Sequence, residues 1–170
     1  MRYKLLGKSG LRVSELCLGT MTFGEDWGWG ASYEASKQIF DAFAEAGGNF
    51  IDTANLYTAG TSEKYVGEFV KADRDAFVLA TKYTLTGARN SGQTERRPNV
   101  VGNHRKNMVQ AVEASLRRLD ADYVDILYVH AWDYLTPVAE VMRALDDLVC
   151  QGKVLYVAAS DTPAWIVSQA

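Results

Sequence analysis

The feature that most constrains this chain is an alternation. Short apolar runs of strand character are followed, again and again, by longer segments of helical period that end at a stop signal. The runs are Leu16 to Leu18, Asn49 to Asp52, Phe77 to Thr81, Tyr123 to Val129 and Lys153 to Ala159. Between them, a helix from about Ser32 groups Ile39, Phe40 and Phe43 on one face and stops at Gly47-Gly48. A second, Thr61 to Lys71, turns Tyr65, Val66, Phe69 and Val70 inward. Asn103 reads as the N-cap of a third, with Met108, Val112, Leu116 and Leu119 on one stripe. Pro137 opens a fourth that carries Val138, Val141, Met142, Leu145 and Leu148 and stops at Gly152; Thr162-Pro163 opens a last one. Ahead of all this, Tyr3 to Leu6 and Arg12 to Glu15 flank Gly7-Lys8-Ser9-Gly10, a hairpin pattern.

Strand–helix alternation implies a parallel sheet with right-handed crossovers. Ile126 to Val129 is apolar at successive positions, as in a sheet covered on both faces. A barrel and an open doubly wound sheet both meet these demands. No Gly-x-Gly-x-x-Gly follows the first strand, and Gly28-Trp29-Gly30 lacks the third glycine, which weakens the dinucleotide-fold reading.

The 170 residues, 48% of them hydrophobic, suit one domain over residues 1–170. A formal net charge of -3 argues against a nucleic-acid surface. No apolar run has membrane-spanning length and no secretory signal opens the chain, so the expectation is a soluble cytoplasmic protein with no membrane partner. Cys17 and Cys150 sit in apolar patterns and read as buried free thiols; two Cys and two His at scattered positions make no metal site. The irregular stretch Tyr83 to Gly102 reads as a functional or mobile loop, and Arg96, Arg97, Arg105 and Lys106 as a solvated basic cluster.

In parallel α/β folds the chemistry gathers at the C-terminal ends of the strands. There stand Gly19, Thr20 and Met21; Asp52, with Tyr57 five residues on; Lys82; His130; and Ser160 with Asp161. Each has a plain alternative: a turn cap for Asp52, a half-buried tyrosine, a solvated rim lysine, a satisfied core histidine. Jointly they suit one reaction. Reducing a carbonyl leaves negative charge on its oxygen and needs a general acid. A free phenol is a poor acid at neutral pH, and a neighbouring ammonium favours the phenolate. Lys82 can supply that ammonium, Asp52 can keep it charged, and His130 can donate to the carbonyl oxygen.

Here the sequence resembles the aldo-keto reductases. The matching stretches are Asp52-Thr-Ala-Asn-Leu-Tyr57, Gly60-Thr-Ser-Glu63 with Gly67, Thr81-Lys82, Ser115-Leu-Arg-Arg-Leu119, Asp122-Tyr123-Val-Asp125 with His130, and Ala159-Ser160-Asp161. The resemblance implies an eight-stranded barrel closed below by a hairpin, and NADPH (NADP) as cofactor for reducing a small carbonyl substrate. It implies Tyr57 as proton donor, Asp52 and Lys82 as its tuning pair, and His130 as the group orienting the carbonyl. Ser160 and Asp161 match the carboxamide site of the nicotinamide, and Gly19-Thr20-Met21 a backbone segment of its pocket. Trp27, Trp29 and Trp132 are candidates for lining the substrate pocket; Glu63 reads as ordering its helix start.

By that resemblance these 170 residues hold five of eight strand–helix units, an incomplete TIM-type (β/α) barrel of about the N-terminal part. An open sheet would expose two edges and apolar surface, so a homodimer or higher oligomer is the expected assembly. The alternative function is a non-catalytic partial barrel that self-associates without turning over substrate.

Overall fold

Gly7, at φ 57, turns the chain between β1 (Tyr3–Leu5) and β2 (Arg12–Ser14), which pair antiparallel with Tyr3 opposite Ser14. The computed structural model describes residues 1–85 and 99–170. Five parallel strands follow in chain order across one sheet: β3 (Cys17–Gly19), β4 (Phe50–Asp52), β5 (Val78–Tyr83), β6 (Val124–Val129) and β7 (Val154–Ala159). The sheet does not close. The helices α1 (Tyr33–Glu45), α2 (Thr61–Val70), α3 (Arg105–Leu119), α4 (Val138–Cys150) and α5 (Ala164–Gln169) alternate with the strands. This is the part-barrel that the resemblance implies, one of the two arrangements that strand–helix alternation leaves open.

Side chains alternate across a strand, and that divides the core in two. Outward-facing Ile51, Leu79, Leu127 and Val129 pack with Phe40, Val66, Met108, Val112, Leu116, Leu145 and Leu148 of the helices. Each such fully buried aliphatic side chain contributes about 1.5–3 kcal/mol. Inward-facing Val78, Ala80 and Ile126 meet Val13, with Leu6 and Leu11 of the hairpin beside them. The hairpin therefore plugs the bottom of the concave face, and Ser14 locks it there by accepting from the amides of Asn49 and Phe50.

Two helices approach closely where the sequence carries Gly67. A Cβ at that position would stand 2.3 Å from the Leu119 carbonyl oxygen, so only glycine lets α2 lie against the end of α3.

Some local expectations change. Ile39 is 47% exposed, because the buried stripe of α1 runs through Tyr33, Ser36, Phe40, Phe43 and Ala44. Leu16 lies before β3 and points to solvent. The N-cap of α3 is His104, whose Nδ1 accepts from the Asn107 amide at 3.3 Å; Asn103 is used elsewhere. Both cysteines are exposed: Cys17 lies on the open concave side of an edge strand and Cys150 ends α4. Protein around Cys17 and the Asp52 charge still push its thiol up to about 12, so it stays protonated. Arg96, Arg97 and most of the Tyr83 to Gly102 loop lie outside the described residues. No described helix is long and apolar enough to cross a membrane.

Candidate active site

The register of the sheet builds the site. Asp52 lies opposite Ala80, which puts Lys82 one residue pair further up the same inward face; Lys82 lies opposite Tyr128, and His130 is the next inward position on that strand. Lys82 is buried to 7% exposure, and its three donors are all used. Nζ donates to Asp52 Oδ2 at 2.6 Å, to the Thr53 carbonyl at 2.8 Å and to Tyr57 Oη at 3.2 Å. It also stands 4.8 Å from the centre of the Tyr57 ring. Because Tyr57 accepts from the ammonium, its own O–H is free to donate into the open concavity.

A buried block of hydroxyls supports this pair. Thr20 Oγ1 donates to the Asp52 carbonyl at 3.0 Å, while Ser62 Oγ lies 2.8 Å from Thr20 Oγ1, 2.9 Å from Thr53 Oγ1 and 2.7 Å from the Thr20 carbonyl. Thr20, Thr53 and Ser62 are fully buried. The chain after Tyr57 is left-handed at Thr58 (φ 45), Ala59 (φ 56) and Gly60 (φ 96). The two non-glycine residues there store strain of about 1–2 kcal/mol each. Thr58 Oγ1 holds the turn by donating to the Phe23 carbonyl at 2.5 Å and accepting from the Ser62 amide at 3.0 Å. It thereby pins the loop that carries Trp27 and Trp29 to the residue next to Tyr57.

His130 meets Tyr57 edge to face, ring centres 5.9 Å apart. Burial, and then the Lys82 charge, pull its imidazole down to about 4, against a smaller opposing pull from Asp161. His130 is therefore neutral at physiological pH. The unfolded imidazole, near 6.5, takes up a proton that the folded one refuses down to about 4. Stability from this group is thus whole above 6.5 and falls as pH drops toward 4. Melting curves across that window should show His130→Asn losing less stability than the parent; parallel curves would mean that His130 is not buried in its neutral form.

The other candidates are placed as follows. Gly19 pairs with Asp52 at the edge of the sheet, and a Cβ there would meet nothing within 4 Å. Met21 is exposed. Thr20 is turned inward: its N–H and hydroxyl both bond the Asp52 carbonyl, and its own carbonyl accepts from Ser62 Oγ and the Phe23 amide, so no polar group is left for a ligand. Ser160 and Asp161 stand at the end of β7 beside His130, Asp161 exposed and left-handed at φ 39. Trp27 and Trp29 pack against each other in the loop after β3, ring centres 5.5 Å apart and tilted by 45°, with the Trp27 indole N–H buried and unpartnered among the described residues. Trp132 faces away from the concavity. It packs on the outer core and lines an apolar cavity of about 170 Å³ together with Val141, Leu145 and Ile166.

Sequence reasoning missed several residues that hold the site. Glu63 does more than order a helix start. It is fully buried, accepts from Thr81 Oγ1 and Arg118 Nε at 2.6 Å each, and so ties α2 to β5 and α3. Ser62 and Thr58 were silent, since small polar residues near turns are common, and Asn103 read only as a helix cap.

The model of the "Aldo/keto reductase family" matches residues 15–170. A norsolorinic acid reductase of Aspergillus flavus is 50% identical over 168 residues, covering 96% of this chain and 43% of the relative. An aryl-alcohol dehydrogenase [NADP(+)] of Phanerodontia chrysosporium is 50% identical over 169 residues, covering 95% and 44%. This chain thus spans less than half the length of these relatives. The holo form of an aldo-keto reductase from Bacillus halodurans superposes with a TM-score of 0.78 at 30% identity, over 94% of this chain and 50% of that one. A hairpin-plugged run of parallel strands, an Asp, a Tyr, a Lys and a His at its upper rim, and a family match over nearly all its length lead to one assignment: this chain belongs to the aldo/keto reductase family.

Proposed function

We propose that this chain provides the acid–base side of an NADPH-dependent reductase of aldehydes and ketones. The observation that carries this reading is the threefold use of the Lys82 ammonium, by Asp52, the Thr53 carbonyl and Tyr57 Oη. NADPH, when bound, supplies the hydride that adds to the carbonyl carbon. Tyr57 donates its O–H to the carbonyl oxygen and yields the proton as negative charge grows there. Lys82 stabilises the phenolate that remains, and Asp52 holds Lys82 charged and in place. Neutral His130 donates a ring N–H to the same oxygen, fixing its direction.

The residues fit the nicotinamide end of such a cofactor. His130 Nδ1 is buried with no partner among the described residues, a bond that a carbonyl or carboxamide group can complete. Ser160 and Asp161 stand beside it, Asp161 exposed, where they can hold a carboxamide, and Gly19 leaves open space at the edge of the site. The aryl-alcohol dehydrogenase among the relatives, together with the Trp27–Trp29 pair in the loop after β3, supports aromatic carbonyls as substrates. Leu155 and Val157 stand exposed on β7, which supports a further copy of the protein covering that edge; sedimentation as a monomer would count against it.

Titrating NADPH into the protein while following tryptophan fluorescence tests the reading. The expected result is saturable quenching at micromolar NADPH, weakened by Asp161→Ala. Absence of saturation at millimolar NADPH would overturn it.

A further inference from the structure

Asn103 lies in the chain between β5 and α3 and is completely buried. Its side chain makes three hydrogen bonds to the chain just beyond the ends of two strands. Nδ2 donates to Thr84 Oγ1 at 2.9 Å and to the Ala131 carbonyl at 3.0 Å, and Oδ1 accepts from the Asp133 amide at 2.7 Å. Its backbone repeats the pattern: the amide donates to Asp133 Oδ2 at 2.7 Å, and the carbonyl accepts from Tyr83 Oη at 3.2 Å. Tyr83 and Thr84 directly follow Lys82. Ala131 directly follows His130, and Asp133 lies three residues after it. One residue therefore cross-braces the two loops that leave the candidate site.

Asp133 serves the brace. Its Oδ1 accepts from the amides of Leu135 and Thr136, and its Oδ2 from Thr136 Oγ1 as well as from Asn103. Burial works to raise this carboxyl, but these hydrogen bonds outweigh it and hold it below the ordinary range, so it stays charged and keeps accepting. On the strand side, the His130 amide bonds the Tyr83 carbonyl at 3.2 Å and the Gly102 amide bonds the Thr84 carbonyl at 2.8 Å. His130 itself has no side-chain hydrogen bond at Nδ1 among the described residues. Its ring meets the Tyr57 ring edge to face. Whatever fixes residues 131–133 fixes that ring.

We propose that Asn103 is a positioning residue that holds the His130 imidazole in its water-poor place beside Tyr57 by clamping the Ala131–Asp133 segment to the end of β5. The proposal rests on the reading of His130 as the group that orients the carbonyl. A catalytic group needs its geometry held by neighbours whose own bonds are complete. Asn103 meets that condition with both amide donors and its oxygen engaged.

The test reads the imidazole directly. The chain has two histidines, so the resonance lost in His130→Asn assigns His130 in the nuclear magnetic resonance spectrum. In the parent it should titrate near 4, with Lys82, Asp161 and the Tyr57 ring as its neighbours. In Asn103→Ala, loosening lets water reach the ring, and the titration should move up toward 6.5. With NADPH and an aromatic aldehyde, kcat/KM should fall about tenfold, through kcat more than KM. Val112→Ala, which opens a cavity elsewhere on α3, should lower the melting temperature and leave the titration near 4. If Asn103→Ala does not fold, Thr84→Ala, which removes one brace partner, should show the same upward movement to a smaller extent. A folded Asn103→Ala, or in its place Thr84→Ala, that still titrates near 4 would overturn the proposal. Should the titration move as expected while His130→Asn retains full kcat/KM, the brace stands and the role of His130 in orienting the carbonyl fails.

Discussion

Replacing Tyr57 by Phe is expected to lower kcat/KM for carbonyl reduction by about 10³-fold, with NADPH affinity unchanged. The substitution removes one oxygen. The ring keeps its edge-to-face contact with His130, and Lys82 keeps its bonds to Asp52 and the Thr53 carbonyl. Tyr57 is only half-buried, so water can take over the donor of Lys82 that Oη accepted. The loss should therefore appear in turnover and leave folding nearly untouched. The left-handed run at Thr58, Ala59 and Gly60 survives, because it is held by Thr58 Oγ1 and not by the phenol. Following NADPH absorbance with an aromatic aldehyde gives the answer. Equal rates in parent and variant would remove Tyr57 from the mechanism and leave the lysine pair without a purpose.

The largest stability effect is expected away from the concavity, at Arg118. Glu63 is fully buried, and Arg118 is the one cation bonded to it among the described residues. Arg118→Met keeps much of the stem that packs over Gly60 but strands the carboxylate, at a cost of about 3–5 kcal/mol. Removing the second charge as well, in Glu63→Gln with Arg118→Met, should recover much of the loss, because the penalty lies in the unpaired buried charge rather than in a missing attraction. Urea unfolding of the parent, the single variant and the double variant measures this. A loss below about 1 kcal/mol in Arg118→Met would show that the pair behaves like a surface ion pair.

Much of the fold was legible before any coordinates. Apolar runs bounded by Gly47-Gly48, Gly152 and Pro137 mark the strands and helices because period and stop chemistry are local properties. The errors were local too. Asn103 and His104 are adjacent polar residues at a helix start, and nothing nearby says which of them caps; Asn103 is taken by Ala131 and Asp133, leaving His104 for the cap. Cys17 and Ile39 sit in apolar patterns, but the first lies on an edge strand and the second one position off its stripe. Trp132 lies two positions after His130, which on a continuing strand would put both on one side, but β6 ends at Val129 and the indole belongs to the outer layer.

The sequence by itself determined the order of the elements and which side chains arrive at the strand ends, since the parity of a strand puts Asp52, Lys82 and His130 on one face once the strands are placed. Only the tertiary structure decided how those side chains are held. Glu63 finds Thr81 18 positions away and Arg118 55 positions away, Thr20 finds Ser62 42 positions away, and Asn103 finds Asp133 30 positions away. Hydrogen bonds of that span leave no periodic mark on the chain. They exist because burial leaves each of these polar groups no partner but the others.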